Sequence, residues 1–411
     1  MGWVCLAVSV NGAIYTVNAL RPARRSRYLL GWSFFASWIT IELAPFQIIW
    51  QALATGWFIR RGALRSTPGR LGVAITAVSL GGLVATVRQS FATRHQVREA
   101  LAALEDDGLG ADKPMMPHLP VPSAVSWERR IEFARVGGRA LRMDVLAPSE
   151  PPEPGHRRPL LVQVHGGGWV LGFKERQGQL IMAEMARAGW VCANVDYRLS
   201  PAATFPDHLI DVKRSIAWLR ENAERFGIDP GFVAVTGGSA GGHLTALAAL
   251  TQNDPAYQPG FESADTSVQA AVPFYGVYDF TDRLGSWAEG TAERFLGPWV
   301  MKSHPDEDPE AWAAASPIDR VHGDAPPMLV IHGDKDSLAP VEDARHFARE
   351  LSAVSENPVY YLELAGAQPR SRRSPRSGPT VIEGAEEFLA AVHSRYLPLG
   401  GPCRLKPQVT G

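Results

Sequence analysis

Hydrophobic and polar positions divide this chain into two unlike parts. In the first hundred residues the apolar positions form blocks rather than stripes. Trp3 to Leu20 carries no charge, Tyr28 to Ile59 carries only Glu42, and Leu71 to Val87 is uncharged and rich in Gly. Apolar windows of about 20 residues are long enough to cross a bilayer. Buried helices of a soluble domain give the same pattern, but internal Gly and Pro and flanking Arg clusters favour the membrane. Nothing basic precedes the first block and no small-residue cleavage site follows it, which argues against a cleaved signal. Arg21, Arg24, Arg25 and Arg27 fill the first connection; Arg60, Arg61, Arg65 and Arg70 fill the second. Placing both in the cytoplasm requires residues 28–59 to form a hairpin or re-entrant segment broken near Pro45, and Leu71–Val87 then leads to the exterior. A single crossing by residues 28–59 separates the two clusters. The expected organisation is a hydrophobic helical region over 1–104, a linker over 105–126 marked by Pro114, Pro117, Pro120 and Pro122, and one further domain over 127–411.

Beyond Trp127 the pattern changes period. Arg130–Val136 and Leu141–Leu146 alternate about Gly137-Gly138 and predict an antiparallel hairpin. Short apolar runs then predict strands at Leu160–Val164, Val191–Tyr197, Val233–Val235, Val268–Tyr275, Met328–Ile331 and Val359–Leu364. Helical spacing separates them, at Gln179–Ala188, Asp207–Phe226, His243–Leu250 and Val341–Ala353. Strands alternating with helices predict an α/β fold, a mainly parallel sheet covered on both faces, with its ligand site at the carboxyl ends of the strands. Residues from about Phe280 to Val321 interrupt this rhythm with Trp287, Phe295, Trp299, Met301 and Trp312.

Two turns carry candidate chemistry. Gly237-Gly238-Ser239-Ala240-Gly241 stands between a predicted strand and a predicted helix, the context of a nucleophile elbow. So tight a turn lifts the Ser239 oxygen above the sheet and aims helix N–H groups at the reacting centre. In a chain with 39 Gly the motif alone is weak. The second turn, His165-Gly166-Gly167-Gly168-Trp169, follows another buried strand and fits an oxyanion-hole turn.

With Asp196-Tyr197-Arg198-Leu199-Ser200-Pro201 added, these stretches resemble the hormone-sensitive-lipase-like family of esterases, from about Trp127 to Glu363 and again in the C-terminal helix. The hydrophobic N-terminus lies outside the resemblance. It implies an α/β-hydrolase fold with cap helices over residues 280–321. It also implies a carboxylic ester hydrolase with Ser239 as nucleophile and N–H groups of Gly167, Gly168 and Ala240 as oxyanion donors. His165, Gly166, Gly237 and Gly241 belong to the motifs. After the strand 328–331, Asp334 and Asp336 compete as the acid; the family pattern aligns with Asp336, and Asp334 is expected to cap the turn. The implied partner is a small hydrophobic ester, with membrane lipid for the N-terminal region, and no metal or organic cofactor.

The resemblance breaks at one place. The triad His is expected in the loop after the last strand. The chain reads Gly366-Ala-Gln-Pro-Arg-Ser-Arg-Arg373, with Pro369 where the family has His. An impaired, acyl-binding relative, a different base, or a local frame slip over Pro369–Arg373 would each account for this. The remaining composition excludes little else: 41 basic against 42 acidic residues give no sign of a nucleic-acid partner. Cys5, Cys192 and Cys403 fit neither a metal spacing nor a disulfide framework.

Overall fold

The computed structural model describes residues 1–26, 28–105, 125–153, 155–367 and 378–396. The expected linker therefore falls almost wholly outside the described residues.

Four helices come first: α1 (Gly2–Leu20), α2 (Leu30–Glu42), α3 (Ala44–Arg60) and α4 (Thr67–Glu105). By length and composition, Gly2–Leu20 and Thr67–Gln89 could each cross a bilayer. α1 and α4 run side by side in the same direction. Cys5 donates to the Gly69 carbonyl, the Thr76 hydroxyl to Ser9 at 2.8 Å, and Thr16 and Ser79 share a hydrogen bond of 2.7 Å. In so apolar a bundle these small polar residues bond one another and let the helices approach closely. α2 and α3 run the opposite way along α1: Asn18 donates to the Ser33 carbonyl, Gln51 lies against Gly12, and Phe58 packs on Cys5 and Ala63. The expected reversal near Pro45 is therefore absent. Pro45 sits in the first turn of α3, where its missing N–H leaves no bond unmade, so the chain bends at Leu43 and continues. The two Arg-rich connections lie at opposite ends of the bundle.

The second part is an eight-stranded sheet in the order β1-β2-β4-β3-β5-β6-β7-β8. Its elements are β1 (Val125–Val136), β2 (Arg139–Pro148), β3 (Arg158–Val164), α5 (Gln179–Arg187), β4 (Val191–Val195), α6 (Asp207–Glu221), α7 (Ala223–Phe226), β5 (Ile228–Gly238), α8 (Ala240–Leu250), β6 (Ala270–Phe274), α9 (Pro309–Ala314), β7 (Met328–Gly333), α10 (Val341–Val354), β8 (Val359–Leu364) and α11 (Gly378–Tyr396). β1–β2 and β2–β4 pair antiparallel, and every other pair is parallel. This is the α/β-hydrolase arrangement, with all parallel strands ending at one edge. The predicted helix over 207–226 is interrupted at Asn222, and the insertion after β6 folds into a π-helix (Ala292–Met301), α9 and a 3-10 turn (Pro317–Arg320).

Two apolar layers cover the two sheet faces. One joins Val162, Val235 and Val330 to α6, α8 and α10; the other joins Leu161, Ala234 and Val272 to α5 and α11. The second layer also takes in Val97 and Leu101 from the far end of α4. α4 thus runs from the helical bundle down the α11 side of the sheet: Gln89 touches Gly366 at the exit of β8, and Val97 touches Gly384 midway along α11. Leu101 is 1% exposed. Leu101→Ala is expected to lower the unfolding free energy by about 2–5 kcal/mol, whereas Arg98→Ala, on the exposed face, should change it by less than about 0.5 kcal/mol. Denaturant unfolding of the full chain in detergent, followed by tryptophan fluorescence, measures both.

Candidate active site

Ser239 stands between β5 and α8 with φ 59° and ψ −123°, a backbone conformation that non-glycine residues rarely adopt. Such strain costs about 1–3 kcal/mol and persists only where the surroundings enforce it. Here the Ser239 N–H donates to the Phe274 carbonyl at 3.0 Å, and the Ser239 carbonyl accepts the His243 N–H at 2.9 Å. The flanking glycines let three pieces of backbone meet. A Cβ on Gly237 would stand 2.6 Å from the Val164 oxygen, and one on Gly241 would stand 2.8 Å from the His165 oxygen. The elbow is buried except for Ser239 itself, which is half-exposed.

The turn after β3 packs directly on this elbow. A Cβ on Gly166 would lie 3.2 Å from Ser239 Cβ. Gly167 and Gly168 have φ 143° and 61°, conformations that suit glycine. No described residue accepts a hydrogen bond from the N–H groups of Gly167, Gly168 or Ala240. Oriented donors without an acceptor, in a glycine turn and at the start of α8, can stabilise a developing oxyanion. A side-chain amide fixes the turn. Gln177 Oε1 accepts the Gly166 N–H at 2.8 Å, and its Nε2 donates to the Gly166 carbonyl at 2.9 Å. Asn194 of β4 in turn donates to the backbone carbonyls of Lys174 and Gln177. His165 stacks on Tyr197 at 4.4 Å, while the Tyr197 hydroxyl donates to the His165 carbonyl at 2.9 Å.

Asp336 lies on the turn after β7 and is buried. Its Oδ1 accepts the N–H groups of Leu338 and Ala339 at 2.8 and 2.9 Å. Its Oδ2 has no hydrogen bond among the described residues and stands 3.4 Å from His332 Nε2, which itself is 2.9 Å from the Ala339 carbonyl. Asp334 is placed differently: its Oδ1 accepts the Gly366 N–H at 2.6 Å, and the Lys335 N–H donates to Ala367. These bonds fasten the exit of β8 to the Asp336 turn. Ala367 thus lies against the turn that carries Asp336, and Pro369–Arg373 lie outside the described residues.

The other imidazoles have different surroundings. His243 accepts from Trp169 Nε1 at Nδ1 and donates from Nε2 to the Ala315 carbonyl at 2.7 Å, so both ring nitrogens are committed. Burial lowers its pKa to about 3, and that of His165 to about 4. His346 pairs with Arg349 and Glu350 of its own helix. His393 packs on Phe232 and Trp190, near the beginnings of β5 and β4, at the sheet edge opposite Ser239.

The insertion after β6 reaches the site through Phe295, whose ring closes over Gly168, while Trp312 is enclosed and Trp299 is exposed. A carboxylate absent from the sequence reading ties this insertion down. Buried Asp343, in the first turn of α10, accepts from the Ser286 hydroxyl and from Trp287 Nε1, both at 2.8 Å. Burial raises its pKa from the usual carboxylate range to about 7. A group whose folded-state pKa is raised contributes stability that is complete below about pH 4 and is lost as pH rises through about 7. Differential scanning fluorimetry of the full chain should therefore show a smaller melting-temperature loss between pH 5 and 8 for Asp343→Asn than for the native chain. Equal slopes would remove Asp343 from this role.

The comparisons with known proteins agree with this architecture. The family model described as BD-FAE matches residues 143–351. A Mycobacterium tuberculosis protein named as the probable carboxylic ester hydrolase LipM is 38% identical over 420 residues, covering 95% of this chain and 93% of that protein. Esterase LipC of the same organism is 49% identical over 243 residues, covering 57% of this chain and 59% of LipC. Among solved structures, a thermophilic esterase, Est2 of Thermogutta terrifontis, aligns with a TM-score of 0.56 at 25% identity, over 66% of this chain and 93% of that one. With its sheet order and strained serine elbow, this chain belongs to the BD-FAE family of α/β-hydrolase esterases and is a carboxylic ester hydrolase.

Proposed function

We propose that Ser239 is the nucleophile, that the N–H groups of Gly167, Gly168 and Ala240 hold the oxyanion, and that Asp336 is the triad acid. The observation that carries this reading is the strained Ser239 packed on Gly166, beside N–H groups that no described residue engages. Ser239 Oγ adds to the ester carbonyl, the alcohol leaves with a proton, and water hydrolyses the acyl-enzyme. Asp336 Oδ2 has no hydrogen bond among the described residues and could accept one from a triad imidazole, and the sequence has Pro369 at the position where the family has His. Without a base, a serine hydroxyl is a poor nucleophile, and in subtilisin loss of the base costs roughly a millionfold in turnover. That favours a second reading for the unaltered chain, a scaffold that binds acyl esters and turns them over very slowly.

Hydrolysis of a nitrophenyl butyrate by the full chain, beside Ser239→Ala and Pro369→His, separates the two. The full chain is the right material because Leu101 of α4 belongs to the core. A gain of about a thousandfold or more in Pro369→His, abolished by adding Ser239→Ala, is the expected result. Native activity lost in Ser239→Ala would show a base elsewhere. Absence of Ser239-dependent turnover in both chains overturns the assignment.

We further propose that the N-terminal helices anchor the chain in a membrane, with the acyl group of the substrate drawn from lipid. Support comes from α1, from the first part of α4, and from the exposed apolar side chains of α2 and α3, such as Phe35, Trp50 and Leu53. The similarity to LipM, spanning 95% of this chain, extends into these helices. An exterior catalytic domain was expected from a hairpin at Pro45; the observed path gives that expectation no support. Reporter fusions after residues 65 and 110 should now report opposite sides of the membrane.

A further inference from the structure

The two parts of the chain meet at one particular edge of the sheet. α4 is 39 residues, about 58 Å of unbroken helix. Its apolar stretch, Leu71–Val87, is followed by Arg88 and Gln89, and Gln89 lies against Gly366, at the carboxyl end of β8. From there α4 descends beside α11, with Val97 against Gly384. The apolar stretch therefore projects beyond the edge that carries Ser239 and Asp336. The end of α1 reaches the same place: Arg24 donates to the Asp334 carbonyl and pairs with Glu342 at 3.7 Å. The first contact falls on the turn that carries Asp336 and the second on the first turn of α10, which follows it. Ser239 is three strands away from β8, or about 15 Å along the same edge.

Exposed apolar side chains follow this geometry. In residues 125–367 and 378–396, large exposed hydrophobics are Leu171, Phe173, Leu180, Leu284, Trp299 and Leu338, together with Val354. The first six lie on the loops after β3, β6 and β7 or at the start of α5, all at the Ser239 edge. Leu171 and Phe173, just past the oxyanion turn, are 70% and 64% exposed. Val354 alone lies at the opposite edge, at the end of α10. Arg21, Arg24, Arg25 and Arg88 add positive charge where the apolar helices end, the depth of anionic headgroups.

From this we infer that the Ser239 edge of the sheet rests on the surface of the bilayer that holds α1 and α4, with Leu171, Phe173 and Leu338 in contact with lipid. The site then opens toward the membrane, and its substrate is an ester whose acyl chain lies in that leaflet. The inference rests on the membrane reading above, and its test separates the two. The full-length chain, with Cys403→Ser, is given one new cysteine by Leu171→Cys, Phe173→Cys, Leu338→Cys or Val354→Cys; Cys5 and Cys192 are buried. Each variant is labelled with a fluorophore and reconstituted in phosphatidylcholine vesicles containing a lipid-borne nitroxide quencher. Flotation of the vesicles after an alkaline wash reads the anchoring itself. Co-flotation with quenching several-fold stronger at 171, 173 and 338 than at 354 is expected. Co-flotation with equal quenching at all four positions overturns the orientation while leaving the anchor intact. Failure to float overturns the anchor and the orientation with it.

Discussion

The site depends on the close approach of three backbones around the end of β3. The Val164 and His165 carbonyls lie where Gly237 and Gly241 could carry no Cβ, and Gly166 faces Ser239 across the remaining gap. This contact sets the separation between Ser239 and the His165–Trp169 turn. The neighbouring devices maintain it from the other side. Gln177 clamps Gly166 through both polar atoms of its amide, and Asn194 holds the short turn that carries Gln177. A neutral His243 links Trp169 of the His165–Trp169 turn to Ala315 of the insertion, with one ring nitrogen accepting and the other donating. Burial keeps this ring uncharged and its two hydrogen bonds fix the tautomer, so it acts as a rigid spacer.

What the sequence made legible was what glycine and strand periodicity demand. The elbow and the His165–Trp169 turn could be read because few residue types tolerate such φ angles or such close contacts, and the parallel sheet because its buried strands are short apolar runs. The clamp by Gln177, the Asp343 contacts to Ser286 and Trp287, and the Arg24 contact to Asp334 were not legible. Each joins residues distant in sequence through a single side chain, with no repeat or spacing to announce it. Pro45 left two paths open in the sequence for a different reason. Proline marks the first turn of a helix as well as a break, and only the packing of Gln51 and Phe58 along α1 distinguishes a bend from a reversal.

The Asp336 turn has the same economy. Oδ1 is engaged by two N–H groups of its own loop, which hold the carboxylate in one orientation and leave Oδ2 without a hydrogen bond among the described residues, 3.4 Å from His332 Nε2. Asp334, two residues earlier, does a purely architectural job by holding Gly366. Two aspartates in one turn thus divide the work, one fastening the strand exits together and the other bracing its own loop.

The path of α4 also bears on the order in which the molecule can be built. α4 is synthesised before any strand of the sheet, whereas α11, against which it closes, is synthesised after all of them. Val97 and Leu101 must therefore wait for almost the whole remaining chain before their partners exist, and this face of the core is the last to seal. Contacts so distant in sequence are slow to form. A chain whose first helices are already held in a membrane would keep α4 in position during that wait, so that the growing sheet folds onto a fixed post.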